Sequence, residues 1–179
     1  TKAILAAWRM APEALEITAK MIVEADVRGI DSHGVSMLPY YARLVATGEL
    51  ALEGEPKIVR QRRATALVDA NAGLGHRASV FAMRQAIERA GNHDVGVVSV
   101  FNSHHFGAAG LYAEMAAEAG LLGIVATTGR IPAVLPTFGL DRMLSTNPYA
   151  FAAPRRRHRT ILLDMSTSVV AANKVKSYA

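Results

Sequence analysis

From Pro12 to Arg28 the apolar residues Leu15, Ala19, Ile22 and Val23 recur on one face at helical spacing, with proline in the first turn, and Gly29 follows as a stop. This predicts a helix. Asp31-Ser32-His33-Gly34-Val35 reads as a loop, and Met37, Leu38, Tyr40, Tyr41 and Leu44 predict a second helix running to Gly48. Two β-like runs, Lys57 to Arg62 and Ala64 to Ala70, are separated by a short turn. A further helix is expected from about Ala78 to Ala90, with Val80, Met83 and Ile87 inward and Gly91 as its C-terminal cap.

Val95 to Val100 has the composition of a buried strand, and it delivers Asn102-Ser103-His104-His105-Phe106-Gly107 at its C-terminal end. A small-residue helix, Ala108 to Ala119, is expected to start there at once. Leu121 to Thr127 reads as the next strand, followed by a loop holding Pro132 and Pro136, and Tyr149 to Ala153 and Thr160 to Asp164 as two more. Helices and strands mix without strict βαβ alternation, which predicts an α/β or α+β fold with a mixed sheet. The pattern divides into a helical segment over 1–55, carrying the Ser-His-Gly loop, and a mixed-sheet domain over 56–179. No repeat or low-complexity stretch interrupts it.

Composition narrows the class. The chain has 179 residues, 51% hydrophobic and 20% charged, no cysteine and a formal charge of +5. Collagen, disulfide scaffolds and solvated disorder are excluded, and zinc ribbons and cysteine nucleophiles with them. No apolar run approaches the roughly 20 residues of a membrane span. Arg9, Glu13 and Glu16 interrupt any signal-peptide core, so a soluble cytoplasmic protein is expected. The first residue is Thr1, with no initiator Met, and Lys176-Ser177-Tyr178-Ala179 closes the chain just after a strand, which reads as a fragment or a processed chain. The positive charge concentrates in Arg60-Gln61-Arg62-Arg63 and Arg155-Arg156-Arg157-His158-Arg159, each between β-like runs. Without interleaved aromatics these read as solvated hairpin loops rather than a nucleic-acid surface.

Three segments carry candidate chemistry. Gly73-Leu74-Gly75-His76-Arg77-Ala78 fits the G-x-G-x-x-(G/A) dinucleotide pattern between a strand and a helix, where a helix N-terminus can receive pyrophosphate. The acid expected about 20 residues on, at the end of a following strand, is missing, so a plain glycine-rich helix entry is the favoured reading. His104-His105 sits where a strand meets a predicted helix N-terminus, a place where α/β sheets gather ligands and the helix dipole disfavours an imidazolium. A proton shuttle and a structural, hydrogen-bonded histidine are both open there. Ser32-His33 lacks the elbow of a serine hydrolase and reads more readily as helix-capping chemistry. No H-E-x-x-H or H-x₃₋₅-H cluster points to a metal, and the methionines read as core fill.

Taken together, four ordered segments resemble the non-Rossmann NAD(P)-dependent malate/L-lactate dehydrogenase family, which includes ureidoglycolate dehydrogenase and the ketimine reductases. They are Arg28 to Val35, Asn102 to Gly110, Ser145-Thr146-Asn147-Pro148 and Leu163 to Ser168. Gly73 to Ala78 also matches, but in that family it is not a Rossmann phosphate loop. The resemblance implies a mixed-sheet non-Rossmann fold and hydride transfer between a small 2-hydroxy acid and its 2-oxo acid, with NAD or NADP as cofactor. It implies His105 as proton acceptor, His33 as proton donor to a substrate carbonyl or imine, and Ser32 orienting it. His105, Phe106, Gly107, Ala108 and Ala109 would border the cofactor, as would Asp164, Met165 and Ser166, and Thr146 would contact substrate.

The family's chains are about twice as long and form homodimers whose active site includes the partner chain, so this chain would be an N-terminal half or a truncated member. Two positions depart from the pattern. Met37 stands where many members have an Arg able to clamp a substrate carboxylate. Lys174 stands where the ketimine reductases use Asp, which favours a 2-hydroxy acid over a cyclic imine. The competing expectation is a non-catalytic remnant that keeps the fold.

Overall fold

The computed structural model describes residues 1–157 and 160–169; His158, Arg159, Lys174 and the closing Lys176 to Ala179 lie outside the described residues. The chain divides into two compact units, Thr1–Ala108 and Ala109–Ala179. The division expected between residues 55 and 56 falls inside the first of them.

The first unit begins with a short helix that the apolar pattern did not announce, α1 (Lys2–Ala7), followed by α2 (Pro12–Val27). Residues 31–35, expected as loop, fall in two single 3-10 turns, Asp31–His33 and Val35–Met37, that run into α3 (Leu38–Ala46). Leu5, Met10, Ile22, Met37, Tyr41, Leu44, Leu50 and Leu74 close one apolar core among these helices. Each buried Leu or Ile contributes about 1.5–3 kcal/mol.

Strands β1 (Lys57–Arg62) and β2 (Thr65–Asp69) form an antiparallel hairpin, and β2 then pairs in parallel with β3 (Val97–Phe101) through the crossover helix α4 (Gly75–His93). A sheet with one antiparallel and one parallel pairing is the mixed architecture that the pattern predicts. Arg60 and Arg62 belong to the exposed strand β1 rather than to a hairpin loop, because only Arg63, at φ +32°, makes the turn. β3 is an edge strand, so Val97 stays about half exposed where the composition predicted burial. Helix α4 runs through Gly91 and ends where Asp94 adopts the left-handed conformation, which Asp tolerates better than most side chains.

The second unit stacks α5 (Gly110–Glu118) on an antiparallel sheet of order β4 (Gly123–Ala126), β5 (Tyr149–Ala153) and β6 (Ile161–Met165). Small residues permit the close approach: Ala150 and Ala152 of β5 and Ala113 of α5 are fully buried. A Cβ on Gly123 would lie 2.1 Å from the Ala113 carbonyl oxygen. The methionines divide: Met10, Met21 and Met37 are core, whereas Met143 and Met165 are exposed, so core filling does not hold throughout. The Arg155–Arg157 segment between β5 and β6 is exposed, as a solvated loop requires.

Two glycines give opposite expectations. A Cβ on Gly96 would lie 1.9 Å from the Ala86 carbonyl oxygen of α4, so Gly96→Ala should destabilise the first unit by about 1–3 kcal/mol in urea unfolding. A Cβ on Gly91 meets nothing within 4 Å inside the same helix, so Gly91→Ala should stabilise by about 0.4–1 kcal/mol.

Candidate active site

The parallel pair β2–β3 continues past its last strand residues as a backbone ladder between two loops. Ala70 N–H donates to the Phe101 carbonyl at 3.0 Å and Ala72 N–H to Asn102 at 2.9 Å. His104 N–H donates to Gly73 at 3.1 Å and Gly75 N–H to His105 at 3.0 Å. Gly75 is what allows this approach, since a Cβ there would stand 2.5 Å from the Phe106 Cβ. The glycines of Gly73-Leu74-Gly75 therefore serve loop-to-loop packing, and the first N–H of α4 is spent on the His105 carbonyl. That accounts physically for the weakness of the dinucleotide pattern.

The ladder turns the two adjacent histidines apart. His104 Nε2 lies 2.8 Å from the Glu49 carbonyl oxygen, a backbone partner. His105 Nδ1 lies 2.7 Å from the Tyr41 hydroxyl of α3, and the Gly107 N–H donates to the same nitrogen at 3.3 Å. His33 stacks over the His105 ring, centroids 5.3 Å apart and planes 28° apart. Ser32 Oγ is 2.9 Å from His33 Nδ1. The capping role favoured for Ser32-His33 is not what the structure has: the caps of the two 3-10 turns are Ile30 and Gly34, neither with a side-chain cap bond, and the Ser32 hydroxyl sits on the imidazole instead. Gly34 is required for this turn, because any side chain would run into the Asp26 carboxylate that accepts the Val35 N–H.

Behind this group lies His76, fully buried in the first turn of α4, its ring edge-on to Tyr41 at 5.9 Å. Neither of its nitrogens has a hydrogen-bond partner among the described residues. Burial, reinforced by His105 and His33, lowers its pKa to about 3. His105 is likewise lowered to about 3, by burial first and His33 second. Burial pushes the Tyr41 phenol well above its ordinary value, with Tyr40 adding to it, so the hydroxyl stays protonated. The helix dipole expected to act on His105 does not: α5 starts only at Gly110, and dehydration replaces it as the cause.

The remaining resemblance residues lie as follows. Phe106 is partly buried, and Gly107, Ala108 and Ala109 are buried, so the two alanine side chains serve packing. In the second unit Asp164 Oδ2 accepts the Gly110 N–H at 2.7 Å and so occupies the N-terminus of α5. The Thr146 carbonyl accepts both the Thr167 N–H, at 2.9 Å, and the Thr167 hydroxyl, at 3.1 Å, so the 145–148 and 163–168 segments are joined within one unit. Ser166 Oγ donates to the Ser168 carbonyl at 2.8 Å. Among the described residues no group of three or more His, Asp or Glu is placed to hold a metal ion, and no helix is long and apolar enough to cross a membrane.

The whole chain, residues 1–179, matches the model of the family described as malate/L-lactate dehydrogenase. The chain belongs to this family. It is 45% identical over 166 residues to a malate dehydrogenase of Pyrococcus abyssi, covering 93% of this chain and 45% of that protein. With an L-sulfolactate dehydrogenase of Methanothermobacter thermautotrophicus it shares 37% over 174 residues, 97% of this chain and 50% of the other. The solved malate dehydrogenase of Pyrococcus horikoshii OT3 superposes with a TM-score of 0.93 at 40% identity, over 98% of this chain and 50% of that one. The chain thus spans about half the length of the curated relatives it matches.

Two residues of this cluster were not singled out from the sequence. Tyr41 read as one more apolar position of a helix, and nothing local ties it to a histidine 64 residues away. By sequence His76 is only a variable position inside the glycine pattern. Met37, the departure from the family's arginine, is a buried member of the helical core.

The two depressed histidines make stability depend on pH. Unfolded histidine takes a proton near 6.5, but His76 and His105 take one in the folded chain only near 3. Between those values the unfolded chain binds more protons, so their stabilising effect is complete above the unfolded value and fades as pH falls. Urea unfolding should lose up to about 1.4 kcal/mol per pH unit per histidine in that window, and His76→Leu should flatten the slope. An unchanged slope in His76→Leu would show that its burial is not the source.

Proposed function

We propose that this chain supplies the proton-handling half of an NAD(P)-dependent oxidoreductase that interconverts a small 2-hydroxy acid, of the malate or lactate type, with its 2-oxo acid. The observation that carries the reading is the stacked His33–His105 pair, with Ser32 on one imidazole and Tyr41 on the other, at the C-terminal end of the only parallel strand pair among the described residues. His33 and His105 are assigned to the reacting oxygen, Ser32 to orienting His33, and Thr146 to substrate contact. The relatives' names, malate and L-sulfolactate dehydrogenase, support a hydroxy acid as the substrate class. A homodimer in the cytoplasm is the assembly that goes with this reading.

The residues assigned to the cofactor suit a nicotinamide dinucleotide by their chemistry. Phe106 offers a partly buried aromatic face in the first unit, and Met165 a 43%-exposed thioether beside the Ser166 hydroxyl in the second. Asp164 would act indirectly, by holding the start of α5. When bound, the nicotinamide supplies the hydride acceptor or donor. The protein then has to orient the hydroxyl or carbonyl carbon, exclude water and manage one proton.

A full-length polypeptide that includes the second half present in the relatives should oxidise NADH or NADPH with oxaloacetate, pyruvate or a related 2-oxo acid; no turnover with any of them would overturn the reading. In that enzyme His105→Ala should lower turnover by about 10²–10⁴-fold, the range for a lost acid–base or polarising group. His104→Ala should cost much less, since its ring serves the Glu49 carbonyl. A second reading, a non-catalytic remnant, draws on Met37, which is packed into the core and offers no charge to a carboxylate. Calorimetric titration with NADH separates the two, because a remnant gives no binding heat.

A further inference from the structure

We propose that His105 works as a neutral hydrogen-bond donor through its Nε2–H, polarising the substrate carbonyl, and that His33 is the residue that carries the proton. This assignment rests on the reading of the pocket as a 2-hydroxy acid site; it keeps the proton-donor role that the resemblance implies for His33 and replaces the proton-acceptor role that it implies for His105.

The geometry at Nδ1 carries it. The Gly107 N–H points at His105 Nδ1, and an amide can only donate, so that nitrogen is an acceptor. The Tyr41 hydroxyl, 2.7 Å from the same nitrogen, must then donate as well. With its Nδ1 lone pair committed twice, a neutral His105 has its proton on Nε2. In that tautomer Nε2 can give a hydrogen bond but has no lone pair with which to accept a hydroxyl proton. Acting as a base at Nε2 would require a proton on Nδ1, directly facing the Gly107 N–H.

The surroundings hold the ring in this state. The titratable groups set against it are Tyr41 from α3, His33 from the 31–33 turn and His76 from α4, and no carboxylate is among them. His76 braces both donors: its ring meets Tyr41 edge-on, and its Nε2 lies 3.0 Å from where a Cβ on Gly107 would stand. Gly107, at φ +78°, is thereby held as the glycine whose amide reaches Nδ1. A neutral imidazole can polarise a carbonyl without releasing its proton. His33 differs at its Nδ1: the partner there is a hydroxyl, which can donate or accept and so accompany either protonation state. In the oxidising direction the substrate hydroxyl proton would pass to His33, and a bound nicotinamide would supply the acceptor for the C–H hydrogen and its electron pair. The new carbonyl oxygen then accepts the hydrogen bond from His105.

The first test uses the unaltered 179-residue chain with ¹⁵N-labelled histidine. NMR should find His105 protonated at Nε2, bare at Nδ1 and unchanged across about pH 5 to 8, the interval in which ordinary histidines titrate. A proton on Nδ1, or titration of His105 in that interval, would overturn the proposal whether or not the chain turns over any substrate. The second test uses the full-length enzyme. H105Q and H105N keep an N–H donor and should retain activity within about tenfold, whereas H33Q should lose about 10²–10⁴-fold together with the ionisation limb of the pH–rate profile. If H105Q and H105N fold and are as inactive as His105→Ala while H33Q keeps its pH limb, His105 carries the proton and the assignment is wrong. An enzyme with no turnover in any form would count against the hydroxy acid reading, and the NMR result would still stand.

Discussion

Everything in the pocket depends on one backbone constraint, the ladder that carries the β2–β3 pairing into the loops beyond it. Two of its bonds, His104 N–H to Gly73 and Gly75 N–H to His105, lock a two-residue stretch of the 102–106 segment against the entry of α4. The alternation of that stretch sends consecutive side chains to opposite sides. One imidazole goes to the Glu49 carbonyl and the other to Tyr41 and His33. The ladder closes only because Gly75 has no side chain, and the same helix entry brings in His76, whose buried ring backs Tyr41.

The electrostatics follow from dryness more than from charge. Two imidazoles, His76 fully buried and His105 partly so, lie beside a third, with no carboxylate among the groups that shift them, so the neutral form is favoured at both. A buried neutral imidazole is a dipole with a fixed direction, and its use is decided by which nitrogen keeps the proton. Here that choice is made by an amide and a phenol that converge on Nδ1. The folded chain gives up stability in acid in exchange for this arrangement, since each histidine would gain its proton on unfolding.

Much of the fold was legible because local rules agree with the tertiary outcome. The α2 helix, the β1–β2 hairpin and strand β5 lie where the apolar spacing and the turn residues put them. Edges were harder to read. Val97 belongs to a strand whose composition suits burial, yet β3 has a partner on one side only. Gly91 looked like a helix end, but α4 absorbs its modest propensity cost and lets Asp94 make the left-handed stop. The basic run 60–63 read as a loop because charge marks solvent exposure, and a strand with both faces exposed offers the same exposure.

The sequence by itself determined the class of fold, the family through four ordered segments, and the histidines and serine worth examining, because those depend on residue type, spacing and order. It did not determine that Tyr41 and His76 belong with His105, that Ser32 turns to His33 rather than to a helix end, or that Asp164 sits on the N-terminus of α5. Those contacts join positions far apart in the chain, and no local propensity encodes them. The protonation of His105 lies in the same class. An imidazole at the end of a strand can be acid, base or donor by composition alone, and only the Gly107 amide, the Tyr41 hydroxyl and the exclusion of water, all consequences of packing, select among them.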